Sequence, residues 1–375
     1  MSTSDPTWRA WVDVDLAALR RNYETIRRAA PDARILPVVK ADAYGLGAQR
    51  VVAALEPLEP WGYAVAGPEE GAALRGWGVT RPVVVLFPPH DALSWIAEHA
   101  LTPALGDVEG VRRWREIAQA RGSTLPFHVE IDTGMGRAGF PWDEAERWLP
   151  AVLEACDGAI RWEGVFMHLH SADEADAPGA REQWRAFEAT CARIPDGQAE
   201  WRHAAASAAA LRFPEMGADL IRPGLFLYGG GGWPDTAAPE PVVAVRARVL
   251  SARDVPEGWT ASYGATYRAR GRERWATLGI GYADGYPRAL SNVGTAAFEG
   301  GYAPVIGRVC MDVTVVNVTE LEGVRPGSTA TLIGGPPDAP TALERVASWA
   351  GRISYEILTG LSPRLPRVYR DEEGV

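Results

Sequence analysis

Lys40 is unusual in this sequence because it is the only lysine among 38 lysine and arginine residues. An arginine guanidinium stays protonated and cannot supply the free primary amine that condenses with an aldehyde, whereas a lysine amine can. Lys40 is therefore a candidate Schiff-base residue. A coding bias toward arginine would also leave one lysine by accident, and composition alone leaves both explanations open.

The composition limits the classes of partner. The formal charge of −10 at pH 7 argues against nucleic-acid and anionic-membrane partners, because both require a clustered cationic face. The three cysteines, Cys156, Cys191 and Cys310, are far apart and odd in number, which favours neither a disulfide framework nor a metal cluster. The first residues lack a basic segment followed by an apolar run, and no stretch is long enough to span a bilayer. We expect a cytoplasmic protein without a nucleic-acid or membrane partner.

The elements that must position Lys40 alternate along the first part of the chain. From about residue 15 to 225, short β-branched runs alternate with amphipathic stretches such as 111–121, 143–154 and 181–192, which is typical of a parallel sheet surrounded by helices. The strand candidates are 35–39, 62–66, 82–86, 101–105, 126–132, 161–168, 199–203 and 220–222. Eight such units predict an α/β fold with an N-terminal eight-stranded, TIM-like β/α barrel.

After Tyr228 the pattern changes. The sequence GGGGWPDTAAPEP reads as a turn-rich linker, and alternating runs such as VVAVRARVLSA follow it. These features predict a C-terminal mainly-β domain. The predicted limits are 11–235 for the barrel and 236–375 for the β domain, and the attachment of residues 1–10 to the β domain is left open.

Polar residues follow five of the predicted strands. Lys40 comes after the first, Arg137 after the fifth, His168 ends the sixth, Ser207 follows the seventh and Arg222 ends the eighth. The carboxyl ends of barrel strands converge on one mouth, where barrel enzymes place their active sites. We therefore expect these five side chains to share a site, although each alone could be a loop or capping residue.

An ordered series of motifs resembles the alanine racemase family along most of the chain. The sequence VVKADAYGLG around Lys40 resembles that family's cofactor-lysine signature, and the matching motifs that follow are IDTGMGRAGF, EGVFMH, IRPGLFLYG, SYGATY, GIGYADGYPR, GRVCMDV and ISYEILTGLSPRLPRVY. The resemblance implies a β/α barrel followed by a β domain, pyridoxal 5'-phosphate as cofactor and a homodimer with shared active sites. It also implies a small amino-acid substrate and interconversion of L-alanine and D-alanine, which supplies D-alanine for peptidoglycan.

The resemblance gives the two candidate bases. Racemisation takes a proton from one face of the substrate carbon and returns one to the other, so a second base must lie opposite Lys40. Tyr263 matches the family's second base, and it would reach the barrel mouth of the partner chain. A phenol with the ordinary pKa of about 10 is a poor base at neutral pH, so neighbours must stabilise its ionised form. The family uses the histidine at the position of His168, linked to Arg222, for this purpose. Without the motif, Tyr263 would be better explained as a half-buried strand tyrosine.

The resemblance also assigns binding residues. Arg222 matches the residue that faces the pyridine nitrogen and keeps it unprotonated, because a guanidinium cannot accept a proton. The residues that match cofactor contacts are Lys40, Tyr44, His168, Ser207, Arg222, Gly224, Leu225 and Tyr355. Arg137 and the backbone of Met311 match the groups that hold the substrate carboxylate. The residues expected to support these groups are Glu130, His203, Tyr282, Arg288 and Asp312. Among them, Tyr282 matches a residue at the entrance of the site and Arg288 matches a partner of the Arg222 network.

Two positions depart from the family pattern. Glu130 stands where the family often carries a carbamylated lysine, and its carboxylate could orient Arg137 without that modification. Ala206 stands where the family usually has asparagine, which removes one polar contact near the cofactor.

Other functions stay open at this point. A serine or broad-specificity racemase would share the scaffold, and barrel-type decarboxylases would share the cofactor lysine but place an acid where Arg222 stands. A non-enzymatic pyridoxal-phosphate carrier would not need Tyr263, and a degenerate racemase could survive as a structural protein. His168 and His170 could suggest a metal pair, but no third ligand follows at convincing spacing, so we expect no metal.

Overall fold

The computed structural model describes residues 7–156, 158–174, 176–233 and 235–371. The first two elements are strand β1 (Ala10–Asp15) and helix α1 (Leu16–Ala29). The Asp15 side chain accepts a hydrogen bond from the backbone N–H of Ala18, so it caps the helix at the point where the strand ends.

A ring of short parallel strands forms the first part of the molecule. Its strands, together with the short strand β7 that extends β6, are β2 (Arg34–Ile35), β3 (Tyr63–Val65), β4 (Val83–Val85), β5 (Thr102–Leu105), β6 (Leu125–Asp132), β7 (Phe140–Pro141), β8 (Ile160–Phe166), β9 (Trp201–His203) and β10 (Leu220–Ile221). Each of the eight predicted strands is present, although most are shorter than predicted. β3 and β4 are buried along their whole length, as expected for strands covered on both faces.

Hydrogen bonding continues around the ring. The strands β3, β4, β5, β6, β8 and β9 pair in that order, and β10 pairs with β2. Parallel bridges between Val38 and Ala64 and between Ala206 and Arg222 connect the two sets of strands. The prediction of an eight-stranded β/α barrel is therefore confirmed.

Helices follow the barrel strands. They are α2 (Lys40–Gly45), α3 (Ala48–Leu55), α4 (Pro68–Gly76), α5 (Leu93–Glu98), α6 (Val108–Arg121), α7 (Ala145–Ala155), α8 (Pro178–Cys191) and α9 (Ser207–Arg212). The three stretches predicted as helical correspond to α6, α7 and α8. None of the helices in the described ranges is long and apolar enough to cross a membrane.

The second part of the molecule is mainly β, as predicted. Its elements are β11 (Val243–Val255), β12 (Thr260–Ala261), β13 (Tyr267–Arg268), β14 (Glu273–Leu278), β15 (Thr295–Phe298), β16 (Gly301–Pro304), β17 (Thr314–Asn317), β18 (Thr329–Ile333), α10 (Leu343–Trp349), α11 (Ser354–Thr359) and β19 (Arg367–Arg370). The long strand β11 pairs with β1 and β18 in its first half. After a register shift between Val249 and Ser251 it pairs with β14.

The first strand of the chain belongs to this second part. β1 lies antiparallel to β11 and parallel to β19 in the β-domain sheet. The predicted domain limits assigned residues 11–15 to the barrel, whereas the sheet places them with the β domain. The run AWVDVD reads as a strand in the sequence, but its partners lie more than 200 positions away, and local pattern carries no information about them.

Candidate active site

A cleft at the carboxyl ends of the barrel strands contains most of the predicted site residues. Its volume is about 630 Å³, including space that is open to solvent. The predicted residues that line it are Lys40, Tyr44, Glu130, Arg137, His168, Ser207, Arg222, Gly224, Leu225 and Tyr355, and Ala206 lines it as well. The predicted convergence at one barrel mouth is therefore what the structure shows, while the role of each residue stays a prediction.

Lys40 begins a turn with unusual backbone geometry. Within α2, residues 41–44 have φ values of 52° to 58° and ψ values of 35° to 54°, which makes this segment a left-handed turn. Left-handed conformation costs about 1 to 2 kcal/mol for each residue other than glycine, so neighbouring groups must hold the turn. Glu70 Oε1 accepts a hydrogen bond of 2.6 Å from the N–H of Ala41. Arg367 Nη2 donates a hydrogen bond of 2.8 Å to the carbonyl of Gly45.

The Lys40 amine lies in a positively charged environment. Burial lowers the pKa of Lys40, Arg137 and Arg222 lower it further, and Glu70 partly opposes them. Lys40 Nζ also lies 6.0 Å from the centre of the Phe87 ring. The lowered pKa increases the fraction of uncharged amine at neutral pH, which is the form that reacts as a nucleophile or base.

Arg222 is fixed by acceptors behind the cleft. Its Nη1 donates to His203 Nδ1 at 2.9 Å and to the His203 carbonyl at 2.7 Å. Its Nη2 donates to the carbonyls of Met167 at 2.8 Å and Ala204 at 3.1 Å. The Nε–H has no partner among the described residues, so one donor remains for a ligand. Burial lowers the pKa of Arg222 to about 10 against the opposing effect of Glu130, and the side chain stays charged at neutral pH.

His168 lies beside this guanidinium at the cleft. Its Nδ1 is 3.4 Å from Arg222 Nη2. Burial lowers the pKa of His168 to about 3, and the positive charges of Arg222, Arg137 and Lys40 contribute. The ring is therefore neutral at physiological pH and can donate from one nitrogen and accept at the other.

Hydroxyl groups line another region of the cleft. Ser207 Oγ accepts a hydrogen bond of 3.0 Å from the N–H of Gly224, and the Tyr44 and Tyr355 rings lie 5.9 Å apart. A side chain at Gly224 would place its Cβ 2.2 Å from the Tyr44 hydroxyl oxygen, so only glycine leaves this space open. Burial raises the pKa of both tyrosines, which keeps their hydroxyls protonated and able to donate.

Glu130 and Arg137 form a loose ion pair. Glu130 Oε1 lies 3.8 Å from Arg137 Nη2, which is longer than a hydrogen bond. The Arg137 guanidinium also lies over the Phe87 ring at 4.9 Å. Burial raises the pKa of the Glu130 carboxyl, and Arg137 and Arg222 oppose this effect.

Tyr263 and Met311 lie outside the cleft. They line a separate open depression on the β domain together with Cys310 and Asp312. Tyr263 is 71% exposed and Met311 is 53% exposed. The turn that carries Met311 is close to Gly281, where a Cβ would lie 2.4 Å from the Met311 carbonyl oxygen, so glycine is required there.

The predicted supporting residues divide between the two regions. His203 bonds Arg222 directly, as described above. Asp312 accepts a hydrogen bond of 2.7 Å from Arg364, and the exposed Tyr282 donates its backbone N–H to the carbonyl of Cys310. The predicted contribution of Arg288 to the Arg222 network stays a prediction. None of the hydrogen bonds of Arg222 in the described residues reaches Arg288, which lies on the β domain in the turn Arg288–Leu290.

Several residues of the site were missed by the sequence analysis. The Phe87 ring lies under Lys40 and Arg137, and the Phe166 ring lies under Arg222 at 5.2 Å. Tyr228 packs against Tyr44 with ring centres 4.5 Å apart and donates to the carbonyl of Val38. The signal for Phe87 and Phe166 was their position at the ends of predicted strands, but only polar residues were considered there.

Two family models match the chain in tandem. The model described as alanine racemase, N-terminal domain, matches residues 14–231, and the one described as alanine racemase, C-terminal domain, matches residues 242–369. An alanine racemase from Carboxydothermus hydrogenoformans is 38% identical over 368 residues, which are 96% of this chain and 99% of the relative.

Solved structures give the same result. An alanine racemase from Streptomyces coelicolor A3(2) superimposes with a TM-score of 0.92 at 33% identity, covering 98% of this chain and 100% of the other. An alanine racemase from Bartonella henselae, solved with covalently bound pyridoxal phosphate, superimposes with a TM-score of 0.88 at 31% identity, covering 97% and 100%. The chain therefore belongs to the alanine racemase family of isomerases.

Proposed function

We propose that this chain interconverts L-alanine and D-alanine with pyridoxal phosphate as cofactor and with Lys40 and Tyr263 as the two bases. The D-alanine would serve peptidoglycan synthesis in the cytoplasm. The observation that carries the proposal is the position of the only lysine at the barrel mouth, beside a fixed guanidinium with one unused donor.

The residues of the cleft fit the chemical groups of pyridoxal phosphate. The Lys40 amine suits the aldehyde, and the unused Nε–H of Arg222 suits a ring nitrogen that accepts a hydrogen bond. The hydroxyls of Tyr44, Ser207 and Tyr355 suit the phosphate, with Gly224 leaving room for it. When bound, this cofactor acts as an electron sink that makes the substrate Cα–H bond acidic.

The two bases would act from opposite sides of the substrate. The Lys40 amine, whose pKa is lowered, would take or return a proton on the side of the barrel. The Tyr263 phenol lies on the β domain, exposed and outside the cleft of its own chain, so a second chain must bring it to the reacting carbon. This separation supports a homodimer in which each site combines Lys40 of one chain with Tyr263 of the other.

The neutral ring of His168 would support the phenol. Because the ring lies beside Arg222, the positive charge of the guanidinium would polarise the imidazole. The polarised imidazole would stabilise the ionised phenol and so favour release of the phenolic proton. Arg137 and the exposed backbone of Met311 would hold the substrate carboxylate. Glu130 would orient Arg137 as a directly encoded carboxylate, in place of a carbamylated lysine.

Complementation between two inactive variants tests the shared site. Lys40→Ala and Tyr263→Phe chains are co-expressed with different tags, and heterodimers are isolated by two affinity steps. Each heterodimer contains one complete site, so it should recover about half of the wild-type activity, whereas both homodimers should be nearly inactive. Activity is measured as loss of optical rotation and as deuterium uptake at Cα from each enantiomer of alanine.

The matched control is a heterodimer of Lys40→Ala with the double variant Lys40→Ala/Tyr263→Phe. It contains a tyrosine but no lysine and should stay inactive. Absence of recovery in the first heterodimer would contradict the shared site, and wild-type protein that fails to racemise alanine would contradict the function itself.

A further inference from the structure

A line of polar side chains leads from Arg222 away from the cleft into the barrel. Arg222 Nη1 lies 2.9 Å from His203 Nδ1, and His203 Nε2 lies 2.8 Å from His128 Nδ1. His128 Nε2 lies 3.6 Å from Glu163 Oε2, and Glu163 Oε1 accepts a hydrogen bond of 2.7 Å from Arg161. Both histidines are fully buried and Glu163 is 9% exposed, whereas the side chain of Arg161 is half exposed.

The direction of hydrogen bonding along this line is determined by Arg222. A guanidinium can only donate, so His203 Nδ1 must accept. Burial lowers the pKa of His203, and Arg222 and His128 add to this effect, so the ring is neutral and carries its proton on Nε2. That proton points to His128 Nδ1, which must accept in turn. Burial likewise lowers the pKa of His128, although Glu163 opposes it, and its single proton must then be on Nε2.

The line ends at a buried N–H that needs an acceptor. His128 Nε2 is buried and has no hydrogen-bonding partner in the described part of the chain. The Glu163 carboxylate is close to it, and contacts with His128 and Arg161 hold the pKa of Glu163 low although burial raises it. The imidazole packs on Gly164, where a Cβ would lie 2.6 Å from the ring, so the ring has little room to turn away.

We infer that Glu163 is a positioning residue for Arg222: its carboxylate, 3.6 Å from His128 Nε2, is the acceptor toward which the proton at the far end of the two-histidine line points, and it thereby keeps His203 Nδ1 free to accept from the guanidinium. The two Nη atoms of Arg222 donate four hydrogen bonds to His203, Met167 and Ala204. Because these bonds fix the plane of the guanidinium, they also fix the direction of its Nε–H. The effect of this orientation on cofactor binding rests on the function proposed above, but the direction of hydrogen bonding does not.

Loss of the Glu163 carboxylate should reverse the direction of hydrogen bonding along the two-histidine line. With leucine at position 163, a proton on His128 Nε2 would be buried without a partner, and the alternative places it on Nδ1. His203 Nε2 would then have to accept and His203 Nδ1 would carry a proton facing the Arg222 donor. One hydrogen bond to the guanidinium would be lost.

The experiment is side-chain ¹⁵N NMR of the full-length protein with labelled histidine, which distinguishes the two neutral tautomers. The chain has six histidines, and His128→Gln and His203→Gln variants assign the signals. In the wild-type protein we expect both rings to carry the proton on Nε2. Glu163→Gln keeps an acceptor oxygen and should keep this pattern, whereas Glu163→Leu should move His203 toward the Nδ1–H form. Arg161→Gln, which removes the outer partner of Glu163, is the matched control and should change neither ring.

Titration with pyridoxal phosphate adds a second measurement. We expect the dissociation constant to rise about tenfold in Glu163→Leu and to change little in Glu163→Gln. A wild-type His203 protonated on Nδ1, or unchanged tautomers in Glu163→Leu, would refute the inference, and the wild-type measurement decides even where the leucine variant does not fold. Changed tautomers with unchanged cofactor affinity would refute the positioning of Arg222. Tautomers are measured without the cofactor, so failure of the racemase proposal would be seen separately.

Discussion

Glu70 ties the residue after Lys40 to the end of a neighbouring barrel strand. One oxygen of its carboxylate accepts a hydrogen bond of 2.6 Å from the N–H of Ala41, and the other accepts one of 2.8 Å from the N–H of Ala66, just after β3. The left-handed turn that carries Lys40 is thus tied to the next βα unit by one side chain.

Replacement of Glu70 by alanine should loosen this turn. The backbone N–H groups of Ala41, Ala66 and Gly67 lose a charged acceptor, so we expect the free energy of unfolding to fall by about 1 to 3 kcal/mol and pyridoxal phosphate to bind more weakly. Urea unfolding and cofactor titration measure the two effects. Glu69→Ala is the control, because Glu69 is the exposed neighbour on the same helix. Equal losses in the two variants would contradict the role of Glu70.

Lys40 should react with amine reagents at unusually low pH. Burial and the charge of Arg137 lower its pKa from the ordinary value of 10.5, so the uncharged amine is present at lower pH. Because it is the only lysine, reductive methylation of the cofactor-free protein with ¹³C-formaldehyde gives one lysine signal whose titration is followed by NMR.

Arg137→Gln should move that titration upward, because removal of a positive charge stabilises the ammonium form. Arg147→Gln is the control, since that side chain is 78% exposed on α7 and pairs with Glu144. A midpoint at or above the ordinary value, or a downward shift in Arg137→Gln, would count against the electrostatic account of the cleft.

Stability should decrease as the pH falls below about 6.5. Burial lowers the pKa of His128, His168 and His203, so the folded chain keeps these rings neutral while the unfolded chain protonates them. The unfolded state then binds more protons, and the free energy of unfolding falls by about 1.4 kcal/mol per pH unit for each ring once the pH is well below 6.5. For His168 this continues to about pH 3.

Urea unfolding between pH 7.5 and 5, followed by tryptophan fluorescence, measures this slope. His168→Gln should reduce it by about one ring's contribution, whereas His170→Gln, at an exposed position two residues away, should leave it unchanged. A slope that is the same in both variants would show that His168 titrates alike in the folded and unfolded chains, and would contradict its lowered pKa.

Glu130 should make the enzyme independent of carbon dioxide. We expect wild-type activity to be the same in carbon-dioxide-free buffer and in bicarbonate. Glu130→Gln should raise the KM for alanine about tenfold, since Arg137 loses a charged partner, with little change in cofactor binding. Glu130→Lys should regain activity only with bicarbonate, which can carbamylate the new amine. An unchanged KM for alanine in Glu130→Gln would contradict this role.

The sequence predicted the barrel well because each barrel strand has a recognisable local composition. Runs such as Val83–Val85 are short, β-branched and wholly buried, and the order of strands in a β/α barrel follows the order of the chain. Polar residues at the strand ends, such as His168 and Arg222, could therefore be placed at one mouth before the structure was known.

The features that the sequence did not predict depend on contacts between distant parts of the chain. The run AWVDVD has the pattern of a strand, but the sequence does not predict that it pairs with β11 and β19. The left-handed turn after Lys40 has no local signal, since two of its four residues are alanines, and Glu70 acts on it from 29 residues away. The expected role of Arg288 came from the resemblance alone, and none of the hydrogen bonds of Arg222 among the described residues reaches it.

The hydrogen bond between Arg367 and Gly45 has a consequence for the order of events during synthesis. The two residues are 322 positions apart, and a ribosome that adds roughly 5 to 20 residues per second needs roughly 15 to 65 s to pass from one to the other. Once β10 has been synthesised, the nascent chain contains the lysine, the barrel strands and their helices, but it still lacks the arginine that holds the turn. The binding site for the cofactor can therefore mature only after β19 has left the exit tunnel.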